Sequence, residues 1–165
     1  MNAIFRRRFL AALVLGGIVL TPTIGVAPPE AQSSDSRYAA IVVDAASGEV
    51  LFSRFADARR YPASITKVMT LYLAFEALES GKVNLNDNLT VSPRAASQPP
   101  SKLGLAAGQT ISLDDAMRAT AVRSANDMAV VIAEHIGGSE GRFTQMMTEK
   151  ARELGMEQTL SLIHI

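Results

Sequence analysis

The chain is 165 residues long, carries 16 basic and 16 acidic side chains, and has neither cysteine nor tryptophan. That length suffices for one domain with a core of its own, and the missing cysteines exclude disulfides and thiolate metal sites. Without a basic stripe or interleaved aromatics, the composition argues against a nucleic-acid binder.

The first predicted segment is not part of the fold. Arg6, Arg7 and Arg8 precede an uninterrupted apolar run from Phe9 to Leu20, and small residues follow. This is the layout of a secretory signal peptide over residues 1–27, with cleavage near 27 or 31. The run is short for a bilayer span, and an uncleaved membrane anchor is the competing reading. All acidic residues lie beyond Ala27 and three basic ones before it, so the exported part carries 13 − 16 = −3 rather than zero. Residues 28–37, rich in Pro and Ser, read as a disordered tether.

A strand is expected over Tyr38–Asp44 and a second over Val50–Phe55, joined as a hairpin through Gly48. From Ser64 to Leu78 the sequence is apolar nearly all round, which predicts a helix buried on every side and stopped near Ser80-Gly81. Residues 83–111 are rich in Asn, Pro and Gly and read as loop. Ser112-Leu-Asp-Asp115 is a capping box that opens a helix ending near Val122. Asp114 and Asp115 read as acids of a helix start rather than as a catalytic or metal-binding pair. After a break at Ser124-Ala-Asn126 the helical pattern resumes over Asp127–His135 and ends at Gly137-Gly138. Ser139 caps a last helix through Leu154. Strand, strand and buried helix in succession predict a layered α/β (α+β) fold.

Two short motifs carry chemistry. Ser64 and Lys67, three apart on a helix, put a hydroxyl and an amine on one face. Serine becomes a nucleophile when a base takes its proton, and lysine serves as that base when burial disfavours its charged form. The ordinary alternative is a lysine reaching from a helix end to solvent, and composition alone gives roughly one chance Ser-x-x-Lys in such a chain. Ser124-Ala-Asn126 is similarly weak alone. On a break between helices its hydroxyl and amide could face a cleft, or could cap backbone groups.

Together, sixty residues apart, Ser64-Ile-Thr-Lys67 and Ser124-Ala-Asn126 match two of the three signatures shared by penicillin-binding proteins and class A β-lactamases. The text around them resembles the D-alanyl-D-alanine carboxypeptidases, the low-molecular-mass penicillin-binding proteins of bacterial cell walls. Asp44-Ala-Ala-Ser-Gly-Glu-Val-Leu, Tyr61-Pro-Ala-Ser-Ile-Thr-Lys-Val-Met-Thr, Ser101-Lys-Leu-Gly-Leu with Gly108, Ser124-Ala-Asn-Asp-Met-Ala and Lys150-Ala-Arg-Glu-Leu-Gly-Met156 carry that resemblance, from about Arg37 to Thr159. It implies a β-lactamase/DD-peptidase-like serine transpeptidase fold, of which residues 38–159 supply the N-terminal hairpin and helical subdomain. It also implies Ser64 as the acylated nucleophile and Lys67 as its base. Ser124 would relay the leaving-group proton, and Asn126 would bind the substrate's backbone amide. The implied substrate is a peptidoglycan stem peptide ending in D-Ala-D-Ala, with β-lactams as covalent inhibitors and no metal or cofactor. The implied location is the periplasm or cell envelope, with inner-membrane association in the full-length protein.

The third signature, Lys-Thr-Gly, is absent: none of the four lysines, Lys67, Lys82, Lys102 and Lys150, precedes Thr-Gly. After Thr159 the chain reads Leu160-Ser-Leu-Ile-His-Ile165, where the family continues differently. The expectation is therefore a fragment with a foreign tail at 160–165, inactive or weakly active by itself. Its central helix should carry an exposed apolar face. A class A β-lactamase-like hydrolase shares the two motifs, and a non-catalytic penicillin-binding or cell-wall-binding protein would account for the missing wall. His135 and His164 match no motif position.

Overall fold

The computed structural model describes residues 38–161. The expected signal peptide and tether lie outside them, as do residues 162–165 of the tail.

Strands β1 (Ala40–Val43) and β2 (Val50–Arg54) form the expected hairpin, antiparallel, with a register irregularity between Val42 and Val43. The turn is held by Asp44. Its Oδ1 accepts from the Ser47 N–H at 2.7 Å, the Ala46 N–H at 3.1 Å and the Ser47 hydroxyl at 2.8 Å. These bonds favour the ionised form and lower the Asp44 pKa, the Ser47 backbone bond most. Gly48, at φ +76°, then closes the loop in a conformation that costs glycine little.

A short 3-10 turn, Ala63–Ile65, leads into α1 (Thr66–Glu79). The prediction of a helix buried on every side is overturned. Thr70, Leu73, Ala74 and Ala77 are buried, but Ile65, Val68, Tyr72 and Phe75 stand exposed along the opposite side. Among the described residues an apolar surround therefore serves two faces, one packed and one bare, as the expected exposed face requires. The hairpin is likewise exposed on both faces, at Ile41, Val43, Leu51 and Phe52 among others.

The reading of 83–111 as loop also needs correction. Strands β3 (Asn88–Thr90) and β4 (Thr110–Ser112) pair antiparallel there, Leu89 opposite Ile111. Between them lies a single turn of helix, α2 (Pro93–Ala96), capped by Ser92 and with proline at its first position. Three-residue strands are too short to show an alternating pattern, which is why the sequence hides them.

Helices α3 (Leu113–Arg123), α4 (Asn126–Gly137) and α5 (Glu140–Glu153) complete the body. The Ser112 cap forms as expected, but the return bond of a full capping box is replaced by one between the two side chains. Ser112 Oγ accepts from the Asp115 N–H at 3.1 Å and donates to Asp115 Oδ2 at 2.7 Å, while Asp114 pairs with Arg118 at 2.8 Å. The helix at the centre is α4, not α1. It packs against α1, α2, α3, α5 and β3, and Met128, Val131 and Ile132 are within 1 % of complete burial. It comes very near α5 at Gly137. A Cβ at Gly137 would sit 2.8 Å from Phe143 Cβ, so only glycine fits. Lys150 of α5 ties back to α1 through Glu76 at 3.0 Å, and Ser161 donates its N–H to Thr148 Oγ1 at 3.1 Å. No helix among the described residues is long and apolar enough to cross a membrane.

Candidate active site

Ser64 lies in the 3-10 turn, two residues before α1, rather than on the α-helix itself. The tight turn still brings the pair together: Lys67 Nζ is 3.5 Å from Ser64 Oγ, at the long limit of a hydrogen bond. Such a contact between nucleophile and base is typical of a site without substrate. Ala63, just before the serine, adopts φ +50°, a left-handed conformation that costs an L-residue roughly 1–2 kcal/mol. Ser64 is exposed, whereas Lys67 is half-buried. Desolvation lowers the Lys67 pKa from its ordinary 10.5, and no acidic side chain pairs with the amine among the described residues. The Ser64 N–H, in the first turn, has no backbone partner there either, and stays available as a donor.

The second motif takes up the predicted break. Ser124 ends α3 in a left-handed conformation, φ +55°, Ala125 precedes α4, and Asn126 is its first residue. Neither polar side chain caps a helix. The Ser124 hydroxyl has no hydrogen-bond partner among the described residues. Asn126 Nδ2 donates to the Pro99 carbonyl at 2.9 Å, and the Asn126 N–H to the Ser101 carbonyl at 2.8 Å. Ser101 Oγ in turn donates to the Arg123 carbonyl at 2.8 Å. With its NH₂ so engaged, Asn126 has its Oδ1 left to accept from a ligand.

Lys67 and Asn126 line one cavity of about 70 Å³, with Thr66, Thr70 and, on α5, Phe143 and Met147. Ser64 and Ser124 are not among its lining residues. A larger, open depression of about 410 Å³ beside Glu76, Ile136 and Met146 shares no lining residue with it and lies away from this chemistry.

Sequence reasoning gives Asp127 no role, yet it is completely buried and binds the 101–104 loop. The available signal was an acid in the first turn of a helix, just before an apolar run, which reads equally well as an exposed partner of the helix dipole. His135 sits 3.5 Å from Asp87 Oδ2, remote from the motif residues in its contacts.

A family model described as D-alanyl-D-alanine carboxypeptidase matches residues 25–161. The chain belongs to that family. Among its carboxypeptidase relatives, DacF of Bacillus subtilis is 34 % identical over 158 residues, which cover 93 % of this chain and 41 % of the relative. DacC of Escherichia coli is 36 % identical over 136 residues, 79 % of this chain and 34 % of the relative. Of solved carboxypeptidase structures, DacD from Francisella tularensis superposes with a TM-score of 0.71 at 32 % identity, over 76 % of this chain and 30 % of that one. Penicillin binding protein 5 from Haemophilus influenzae gives 0.71 at 33 % identity, over 82 % and 39 %. The chain thus spans well under half the length of these relatives, and the carboxypeptidase fold it shares with them is the mixed helix and small-sheet arrangement described above.

Proposed function

We propose that this protein is a serine-type D-Ala-D-Ala carboxypeptidase that removes the terminal D-alanine from peptidoglycan stem peptides. The observation that carries this reading is the Ser64–Lys67 pair, 3.5 Å apart, with a lysine whose charged form is disfavoured by burial. Lys67 takes the Ser64 hydroxyl proton as Oγ attacks the carbonyl carbon of the penultimate D-alanine. The Ser64 N–H donates to the oxyanion that develops there. The C–N bond then breaks, and Ser124 passes a proton to the departing amine of the terminal D-alanine. Asn126 Oδ1 accepts from a backbone N–H of the substrate. Water cleaves the resulting ester, restoring the serine. A β-lactam opened by the same attack would remain on Ser64 as a covalent adduct. A protein acting on peptidoglycan works in the cell envelope, and in this reading residues 1–27 serve as its export signal, 28–37 as a tether and 38–159 as the N-terminal part of the catalytic domain.

The test is the intact mass of the purified chain after incubation with a penicillin, with Ser64→Ala alongside. One drug mass added to wild type and none to the variant is the expected result. An adduct of equal yield on both would remove Ser64 from the role.

A further inference from the structure

Among the described residues Asp127 is the one acidic side chain in the core, fully buried at the start of α4. A carboxylate cut off from water is costly unless its charge is met, and among the described residues no cation meets this one. Three backbone N–H groups do. Leu103 donates to Oδ1 at 3.0 Å, Gly104 to Oδ2 at 2.8 Å and Met128 to Oδ1 at 2.9 Å. Two successive amides of the loop thus converge on one anion, an arrangement that fixed backbone dipoles favour. Gly104, at φ +93°, provides the backbone conformation at the second of them.

The same short loop is held at its other end by the candidate site. Pro99 O takes the Asn126 side-chain amide, Ser101 O takes the Asn126 N–H, and Ser101 Oγ reaches Arg123 O. The orientation of the Asn126 amide therefore depends on where Pro99 O stands. That in turn depends on a loop whose far end is fixed by the residue adjacent to Asn126. We propose that Asp127 is the positioning residue of the site, clamping the 99–104 loop so that Asn126 presents its Oδ1 to substrate. This rests on the carboxypeptidase reading only for the substrate contact; the clamp itself is a statement about the loop.

The experiment compares the full chain, Asp127→Asn, Asn126→Ala and the double variant by amide hydrogen exchange and by the second-order rate of acylation with a fluorescent penicillin. Asparagine places an NH₂ group against at least one loop N–H. Asp127→Asn should therefore lower protection about tenfold or more at Leu103, Gly104 and Asn126, the factor that losing one charge-assisted hydrogen bond implies. Protection at Val130–Ala133 should not change. Acylation should slow about tenfold, and adding Asp127→Asn to Asn126→Ala should slow it no further, as expected of residues acting as one unit. Uniform loss of protection along α4, or additive slowing, would make Asp127 a mere packing residue and overturn the proposal. So would free amides at 103 and 104 with Asn126 still protected. If wild type is not acylated, the carboxypeptidase reading fails and the exchange pattern alone decides the clamp. If Asp127→Asn does not fold, Gly104→Ala serves in its place. Nothing lies within 4 Å of the added Cβ, but φ +93° disfavours it, and the same local loss of protection is expected from the loop side.

Discussion

Around Asn126, two hydrogen bonds to Pro99 and Ser101 are backed by a third from Ser101 to Arg123, and α4 beneath is the most enclosed helix of the body. Around Ser64, a single 3.5 Å contact joins a side chain on an exposed turn to one in the first turn of α1, and α1 beyond it is bare along one side. The two motifs are equally short in sequence, yet one is built into the core and the other is carried on its rim. On the proposed reading the substrate-binding group is thus fixed beforehand, while the reacting group keeps the freedom to close on its target. Nucleophile–base contacts commonly tighten only when substrate arrives.

The largest effect should come from the loosely held side. Lys67→Ala is expected to lower the acylation rate by about 10²–10⁴-fold, the usual contribution of a general base. Circular dichroism should be unchanged, because Lys67 lies on the rim. An unaltered rate would remove the lysine from the base role. The same amine sets a pH dependence. Acylation should rise with pH and level off below 10.5, since burial lowers the Lys67 pKa and brings the neutral form within reach earlier. The sign for stability follows from the same shift. Between the lowered and the ordinary pKa the unfolded chain binds more protons, so stability from this group rises with pH across that window. A rate profile with its inflection above 10.5 would contradict the desolvated lysine.

Next come two truncations that contrast the halves directly. Ile132→Ala, beneath the Asn126 turn and fully buried, should cost about 2–5 kcal/mol in denaturant unfolding. Val68→Ala on the bare side of α1, 65 % exposed, should change stability by no more than about 0.5 kcal/mol. A large cost at Val68 would mean that this face is covered in solution. Smaller still, Ser139→Ala removes the oxygen that accepts the Arg142 N–H at 3.2 Å and should cost about 1 kcal/mol. Arg118→Ala should cost about 0.5 kcal/mol or less, because its partner Asp114 is an exposed i,i+4 neighbour.

Local signals were legible where backbone chemistry is local. The Gly48 turn, the Ser112 and Ser139 caps and the break at Ser124 all lie where short-range hydrogen bonding puts them, within a residue or two of expectation. Burial was less legible. A helix apolar all round looks central, but α1 shares its apolar surface between a packed and a bare side, and α4 takes the centre. The β3–β4 ladder escaped because three residues carry no period. In the site, the four motif residues were nameable from the text. Asp127 was not assigned, because the loop that saturates its carboxylate comes from more than twenty residues upstream, and no periodicity reports such a contact.

The missing side chain at Gly137 has a consequence for the site some distance away. It lets α5 begin against α4 with Phe143 nearly in contact with the glycine backbone, and Phe143 is also a wall of the cavity beneath Lys67 and Asn126. One methyl group at position 137 would act as a wedge, displacing that wall. The shape of the cavity beside the lysine is thus set partly by a helix junction that never touches it, through a spacer one carbon wide.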